Sequence, residues 1–346
     1  MNPPIAPAMR ALVAASSLVM THGASAALVW QLPLTHSSAG SISNGTVLTA
    51  AVNDPVHPAT NGTVNGAGSS WVYDSAFDTH VWSTVQGNRI SAGQQGADRT
   101  TGFTWSVWVK LNPLAAGNAD SGADVIMGTR SGTWFKLGLN GAAVSSSIAS
   151  SVNASIPFNA SAHSAITSDR WTHLSVLGDG ASVRAFVNGV SAGTPDTTVN
   201  TSWTTSALEL GGASNFTEDM EGLLRDAAIW NHALTVAQHV GLYTLGAPGS
   251  FRYDSVSAQS LYGWADAASL GGTFELNGTT WKKVADEWSL AAGQLQDAGG
   301  GDYRFGYGSG LALVTVPEPG VLLMSVLAVL FLLRRERSGS DRIRLR

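Results

Sequence analysis

Short runs in which large apolar residues alternate with small or polar ones recur along most of this chain, each closed by a turn signal. The clearest is Phe103-Thr104-Trp105-Ser106-Val107-Trp108-Val109, after which Lys110 opens a polar stretch. Stretches 134–139, 171–177, 183–187, 207–210 and 223–230 keep the same period of two, which puts successive side chains on opposite faces of a strand. Asp179-Gly180 and Asn188-Gly189 follow or separate such runs, and these pairs tolerate the positive φ angles of tight hairpin turns. One short helix is expected over 235–243, with Thr235 as its N-cap. Many short strands and so little helix predict an all-β sandwich, not a βαβ sheet.

Composition agrees. Charged residues make up 12% of the chain, about half the usual share of soluble domains, and glycine, serine, threonine, alanine and asparagine take their place. Hydrophobic residues at 44% suffice for a sizeable core. Cysteine is absent, so stability has to come from burial, or from a bound metal. Residues 1–26 and 317–346 together hold 7 of the 19 basic and 3 of the 24 acidic residues, leaving 12 against 21 between them, a net charge of −9. An acidic body without a basic patch argues against a nucleic-acid partner.

Both ends carry signals. Arg10 precedes an apolar stretch over 11–20, and Ala24-Ser25-Ala26 has the small-x-small pattern of a signal-peptidase site, so residues 1–26 read as a secretory signal with Ala24 and Ala26 as the small residues of its cleavage site. At the other end Pro317-Glu318-Pro319 leads into an apolar run over 320–333, followed at once by Arg334, Arg335 and Arg337. Fourteen helical residues reach about 21 Å, short of a hydrocarbon core of about 30 Å, so a transient membrane stop is expected in place of a permanent anchor. The arginines place the end of the tail in the cytoplasm. This order of elements resembles the PEP-CTERM sorting signal of Gram-negative bacteria. The resemblance implies recognition of residues 316–346 by an exosortase, a membrane protease that processes the tail, after transient insertion in the inner membrane.

The middle of the chain resembles the laminin G-like, concanavalin A-like jelly-roll domains of bacterial surface proteins. The matching pieces occur in family order: Gly62-Thr63-Val64-Asn65-Gly66 with Trp71-Val72; the run 103–110; Arg170-Trp171-Thr172-His173-Leu174-Ser175-Val176 with the turn Gly178-Asp179-Gly180; Val183-Arg184-Ala185-Phe186-Val187-Asn188-Gly189; and Glu221 to Leu234, followed by a helical turn over 238–243. The expected fold is therefore an all-β jelly-roll sandwich over 27–247, a smaller β-rich segment over 248–315 and a C-terminal apolar helix over 320–333. In the smaller segment 261–264, 272–276, 281–284 and 303–307 are candidate strands, with Asn277-Gly278 as a hairpin turn. It either packs on the jelly roll or forms a semi-independent stalk.

Candidate chemistry is sparse. The resemblance brings a possible calcium site, for which Asp78 and Asp226 are the nearest acids. Calcium asks for six to eight oxygens, and the competing role for Asp226 is a turn cap or a pair with Arg225 or Arg184. Phe77-Asp78-Thr79-His80-Val81-Trp82 is the nearest copy of the family's early acidic motif, with an insertion over 87–100 after it. Glycoside hydrolysis needs two carboxylates flanking a bond. Glu218, Asp219 and Glu221 lie at offsets that cannot all share one strand face. No catalytic residue is assigned. His173 is expected in the core or hydrogen-bonded to a neighbouring strand. Most of the twelve tryptophans are expected in the core, although exposed rings would suit sugar stacking.

The expected function is that of an exported, non-catalytic protein of the cell surface or extracellular matrix. Family resemblance implies carbohydrate or protein as ligand. The alternatives are a structural matrix protein without a ligand site and a cryptic glycoside hydrolase.

Overall fold

The computed structural model describes residues 28–49, 61–93, 102–112, 125–129, 135–140, 145–150, 155–157, 159–195, 197, 207–213, 218–248, 255–276 and 278–316. Ala24, Ala26, Pro317, Glu318, Pro319, the apolar run 320–333, Arg334, Arg335 and Arg337 lie outside the described residues, as do Trp134 and Trp203.

Two antiparallel sheets form the sandwich. The first runs β16 (Val190–Ser191), β15 (Val183–Val187), β14 (Thr172–Gly178), β9 (Phe103–Leu111), β18 (Gly222–Trp230), β7 (Thr79–Thr84), β6 (Ser70–Asp74) and β3 (Gly40–Ser41). Strand β1 (Leu28–Leu32) also pairs with β18, and β2 (Thr35–His36) with β7. The second runs β13 (Ser155–Pro157), β12 (Ser145–Ser150), β11 (Phe135–Asn140), β10 (Val125–Thr129), β17 (Glu209–Leu210), β8 (Arg89–Ser91), β5 (Gly62–Asn65) and β4 (Val47–Leu48). A third sheet runs β19 (Thr273–Leu276), β20 (Thr279–Ala285), β23 (Leu311–Val316), β22 (Asp302–Gly308) and β21 (Leu295–Gly299). Helices are α1 (Ala160–Ile166), α2 (Val236–Gly246) and α3 (Ser255–Ala267).

The alternation of β9 explains the layering. Phe103, Trp105, Val107, Val109 and Leu111 point into the core between the two large sheets, where Leu174, Val176 and Ile229 of the neighbouring strands join them. The alternate residues Thr104, Ser106 and Trp108 face the other way, yet they are buried too. An ordinary antiparallel sandwich leaves that outer face to water. Here α2 and α3 cover it and carry the third sheet on their far side, so that Ala228 and Trp230 of β18 share a second core with Leu242, Leu245, Leu261, Tyr262, Trp281, Phe305 and Leu313. The segment after Ala247 is thus packed on the jelly roll and is not a stalk.

Three polar side chains on this covered face, Thr104, Ser106 and Ser175, are hydrogen-bonded to neighbouring elements. Thr104 Oγ1 donates to His232 O at 2.8 Å and accepts from Leu234 N at 2.9 Å. Ser106 Oγ lies 2.7 Å from His173 Nε2, and Ser175 Oγ lies 2.8 Å from His239 Nδ1 of α2. Ser106 and Ser175 are direct cross-strand partners, so the two pairs form one polar seam under the helices. His173 thus takes the hydrogen-bonded core position expected of it.

Helix α2 begins at Thr235 as expected. Thr235 Oγ1 accepts from Gln238 N at 3.2 Å while Gln238 Oε1 accepts from Thr235 N at 2.7 Å, a reciprocal capping box. Gln238 Nε2 then donates to Asp266 of α3 at 2.7 Å, and the Tyr307 hydroxyl donates to the same carboxylate. Close approach of the two helices depends on Gly241, where a Cβ would collide with the Tyr262 hydroxyl. Lys283, almost fully buried, donates from Nζ to Ala265 O at 2.6 Å and Ala268 O at 3.0 Å. It closes the C-terminal end of α3, where unpaired carbonyls and the helix dipole favour a cation.

One expected strand is corrected. Residues 261–264 lie inside α3, because Ala258, Leu261, Tyr262 and Ala265 recur at a helical spacing and all four face the second core. The other three runs of this segment are strands β19, β20 and β22. Helix α1 was not expected at all; Asn159 Oδ1 caps it by accepting from Ala162 N at 2.9 Å.

Candidate functional site

The acids singled out by sequence do not converge on a cleft. Asp226 sits at positive φ (49°) in a bulge of β18 between the residues paired with Trp108 and Ser106, almost fully buried. Its Oδ2 lies 3.1 Å from Arg225 Nε and its Oδ1 accepts from Gln31 Nε2 at 3.4 Å. Of the competing roles, pairing with Arg225 is the observed one, whereas Arg184 lies 3.9 Å from Asp179. Asp78 is exposed in the turn between β6 and β7 and accepts from the Tyr73 hydroxyl at 2.9 Å. Among the described residues no three His, Asp or Glu side chains form a group that could hold a metal ion. A guanidinium against Asp226 is the wrong neighbour for calcium, which needs an oxygen cage, so the donor set does not fit that ion.

Glu218 and Asp219 are buried. Asp219 Oδ2 accepts from Gly87 N at 3.1 Å, and Glu218 O accepts from Val125 N at 3.0 Å, which ties the loop before β18 to the second sheet. Glu209, which sequence reasoning passed over, is buried in β17 with Arg89 Nε 3.3 Å away. The Ser106–His173 and Ser175–His239 pairs have the distances of a nucleophile and its base, but all four residues are buried. Burial alone pushes His173 down to about 3; burial and then repulsion from His173 push His239 to about 3. Both rings stay neutral at physiological pH, in positions solvent does not reach.

The tryptophans divide as expected. Trp30, Trp82, Trp105, Trp230 and Trp281 are fully buried and Trp108 nearly so. Trp171 is different. It stands just before β14, half-buried, in an edge-to-face contact with Phe77 at 4.9 Å, and the Arg225 guanidinium lies over the same Phe77 ring at 4.0 Å.

Trp171 lines an open cleft of about 610 Å³ between α1 and the start of β14. Its other lining residues are Ser161, Ser164, Ala165, Ser168, Arg170, Thr172 and Asn188. Local chemistry fixes several of them. Thr172 Oγ1 donates to Ala165 O at 3.0 Å and Ser168 Oγ to the same oxygen at 2.6 Å, which pins the end of α1 to β14. Asn188, at positive φ in the β15–β16 turn, accepts from His173 N at 2.9 Å and thereby brings that turn to the cleft. A second cavity of about 400 Å³ lies between β1, β2 and β4, where His36 stacks on Trp71 at 5.3 Å; most of its wall is apolar. Among the described residues, no carboxylate lines either cavity.

Residues 83–238 match the model of the concanavalin A-like lectin/glucanases superfamily, in its laminin G form. The fold is concanavalin A-like. The matched stretch begins within β7 and ends in the first turn of α2, so it takes in the strands around the cleft and leaves out α3 and the third sheet. No curated protein matches the chain in sequence. Among solved structures, domain 4 of an extracellular arabinanase from Geobacillus stearothermophilus, solved with arabinotriose, is similar over 62% of this chain and 97% of that one, at 17% identity and a TM-score of 0.45. The binding domain of Paraclostridial Mosquitocidal Protein 1 is similar over 85% of this chain and 68% of its own, at 14% identity and a TM-score of 0.45. Trypanosoma rangeli sialidase is similar at 14% identity and a TM-score of 0.43 over 63% of this chain, which spans 33% of the sialidase. Likenesses this distant are of general shape.

Proposed function

We propose that this chain is an exported, non-catalytic surface or matrix protein whose concanavalin A-like domain binds carbohydrate in the cleft beside α1. The cleft itself carries the proposal. It combines a partly exposed indole, which offers a flat apolar face to a sugar ring, with hydroxyl and amide groups that can exchange hydrogen bonds with sugar hydroxyls. Among the described residues the Ser161 and Ser164 hydroxyls are not committed to protein partners, and both residues are exposed. A hydrolase would need a pair of carboxylates across the bound sugar, and none is among the described residues that line this cleft.

A soluble glycan panel applied to the exported protein tests the reading. Binding of at least one oligosaccharide is expected, and Ser164→Trp, which fills the cleft from an exposed position, should abolish it without lowering the melting temperature. Binding that survives Ser164→Trp would move the site elsewhere, and no binding to any glycan would favour the structural-matrix alternative.

The same proposal includes delivery: cleavage of residues 1–26 by signal peptidase, transient insertion of 320–333 in the inner membrane, and removal of the tail by an exosortase-type protease that recognises Pro317-Glu318-Pro319. Among the described residues no helix is long and apolar enough to cross a membrane. Intact-mass measurement of the exported protein should show loss of both ends, the second close to Pro317. A full-length chain held in the inner membrane would contradict it.

A further inference from the structure

We infer that the cleft beside α1 selects glycans bearing a carboxylate, such as polyuronates, with Arg170 as the recognising cation. This rests on the carbohydrate-binding reading above and adds the charge of the ligand to it. Among the described residues that line the cleft, Arg170 alone is charged, and it is exposed. It lies in the short turn between α1 and β14, where Ala165 O, Ser168 Oγ and Thr172 Oγ1 hold the backbone on both sides. Asp169 precedes it at positive φ (52°) but is not among the lining residues, and no described carboxylate lies within ion-pairing distance of the Arg170 guanidinium.

Two other described basic side chains without a carboxylate partner are engaged elsewhere: Lys283 on backbone carbonyls and Arg304 over the Trp288 ring. The body carries 21 acids against 12 basic residues, and Arg89, Lys110, Arg184 and Arg225 each have a carboxylate partner. An exposed arginine without one, set in a polar cleft, offers its planar fork to a ligand anion. A guanidinium matches a carboxylate through two parallel hydrogen bonds, geometry that a neutral sugar cannot return. Its neighbours suit the remainder of such a ligand. Ser161 and Ser164 face ring hydroxyls, and Trp171 takes the apolar face of a pyranose. The surrounding acidity works against non-specific retention of polyanions, so recognition has to come from the local fork and not from a diffuse positive field.

The test compares oligogalacturonate, a neutral oligodextran, a sulfated oligosaccharide and an acidic peptide, using calorimetry on the full chain in mild detergent at about 0.1 M salt. Oligogalacturonate should bind, and Arg170→Gln should weaken it by about tenfold or more while Arg170→Lys retains part of the affinity. Far-ultraviolet dichroism and melting temperature should be unchanged in both variants, because Arg170 is exposed. Equal binding of oligodextran, unaffected by Arg170→Gln, would overturn the charge selection and leave the carbohydrate reading standing. Binding of the sulfated oligosaccharide alone would overturn the carboxylate preference. Binding of the acidic peptide alone, or of nothing, would overturn both the inference and the reading beneath it.

Discussion

Replacing Trp281 with alanine should destabilise the entire protein, not just its last third. Trp281 is wholly buried in β20, where its ring joins the second core. Truncating a buried tryptophan costs about 3–5 kcal/mol, from lost transfer energy and the cavity left behind. That core also contains Ala228 and Trp230 of the jelly roll, on the strand that pairs with both β9 and β7. Damage on the far side of α3 should therefore lower the single unfolding midpoint seen by every probe. Thermal or denaturant unfolding, followed both by near-ultraviolet dichroism and by amide protection of β14, checks this. Two separated transitions in Trp281→Ala, the later one at the wild-type midpoint, would mean that the third sheet and the sandwich unfold independently.

Acidification from pH 7.5 to 5 should cost about 4 kcal/mol of stability through His173 and His239. An unfolded histidine takes up its proton near pH 6.5. In the folded protein burial pushes both down to about 3, with repulsion between the two adding to the effect at His239. Between those values the unfolded chain binds more protons, so stability rises with pH and is lost as pH falls below 6.5. Each histidine contributes about 1.4 kcal/mol per pH unit in that window, about 2 kcal/mol by pH 5. Urea midpoints at the two pH values measure the loss. His173→Gln, which can still hydrogen-bond Ser106, should remove about half of the slope. A midpoint that does not move between pH 7.5 and 5 would show that the seam is hydrated or open.

The features legible in the sequence are those whose signal is local. The period of two in β9 and β15, the Asp179-Gly180 and Asn188-Gly189 turns and the Thr235 cap each depend on a few adjacent residues, and each stands where it was read. Helix α3 was misread because Leu261 to Trp264 is a four-residue apolar window, equally at home in a strand. Its helical period appears only when Ala258 and Ala265 are included, and Ser, Gly and Asp between them dilute it.

The covering layer left a fainter trace. Thr104, Ser106 and Ser175 look like the solvent side of an ordinary sandwich, and apart from the buried role expected of His173 nothing nearby announces that His232 and His239 meet them. The cleft was still less accessible. Ser161, Arg170 and Asn188 come from a helix, a loop and a hairpin turn, and only pairing of β14 with β15 brings the last to the first two. From sequence alone Arg170 and Trp171 read as the start of a family strand, and Asn188 as part of a turn. Their joint exposure on one wall is a property of the folded chain.

The most direct test of the account is a structure of the protein with a bound glycan, obtained with whichever oligosaccharide binds in solution. The account places a sugar ring against Trp171, within hydrogen-bond distance of Ser161 or Ser164, with a carboxylate on Arg170. A sugar seated instead in the groove between His36, Val47 and Trp71, or on the third sheet, would contradict it.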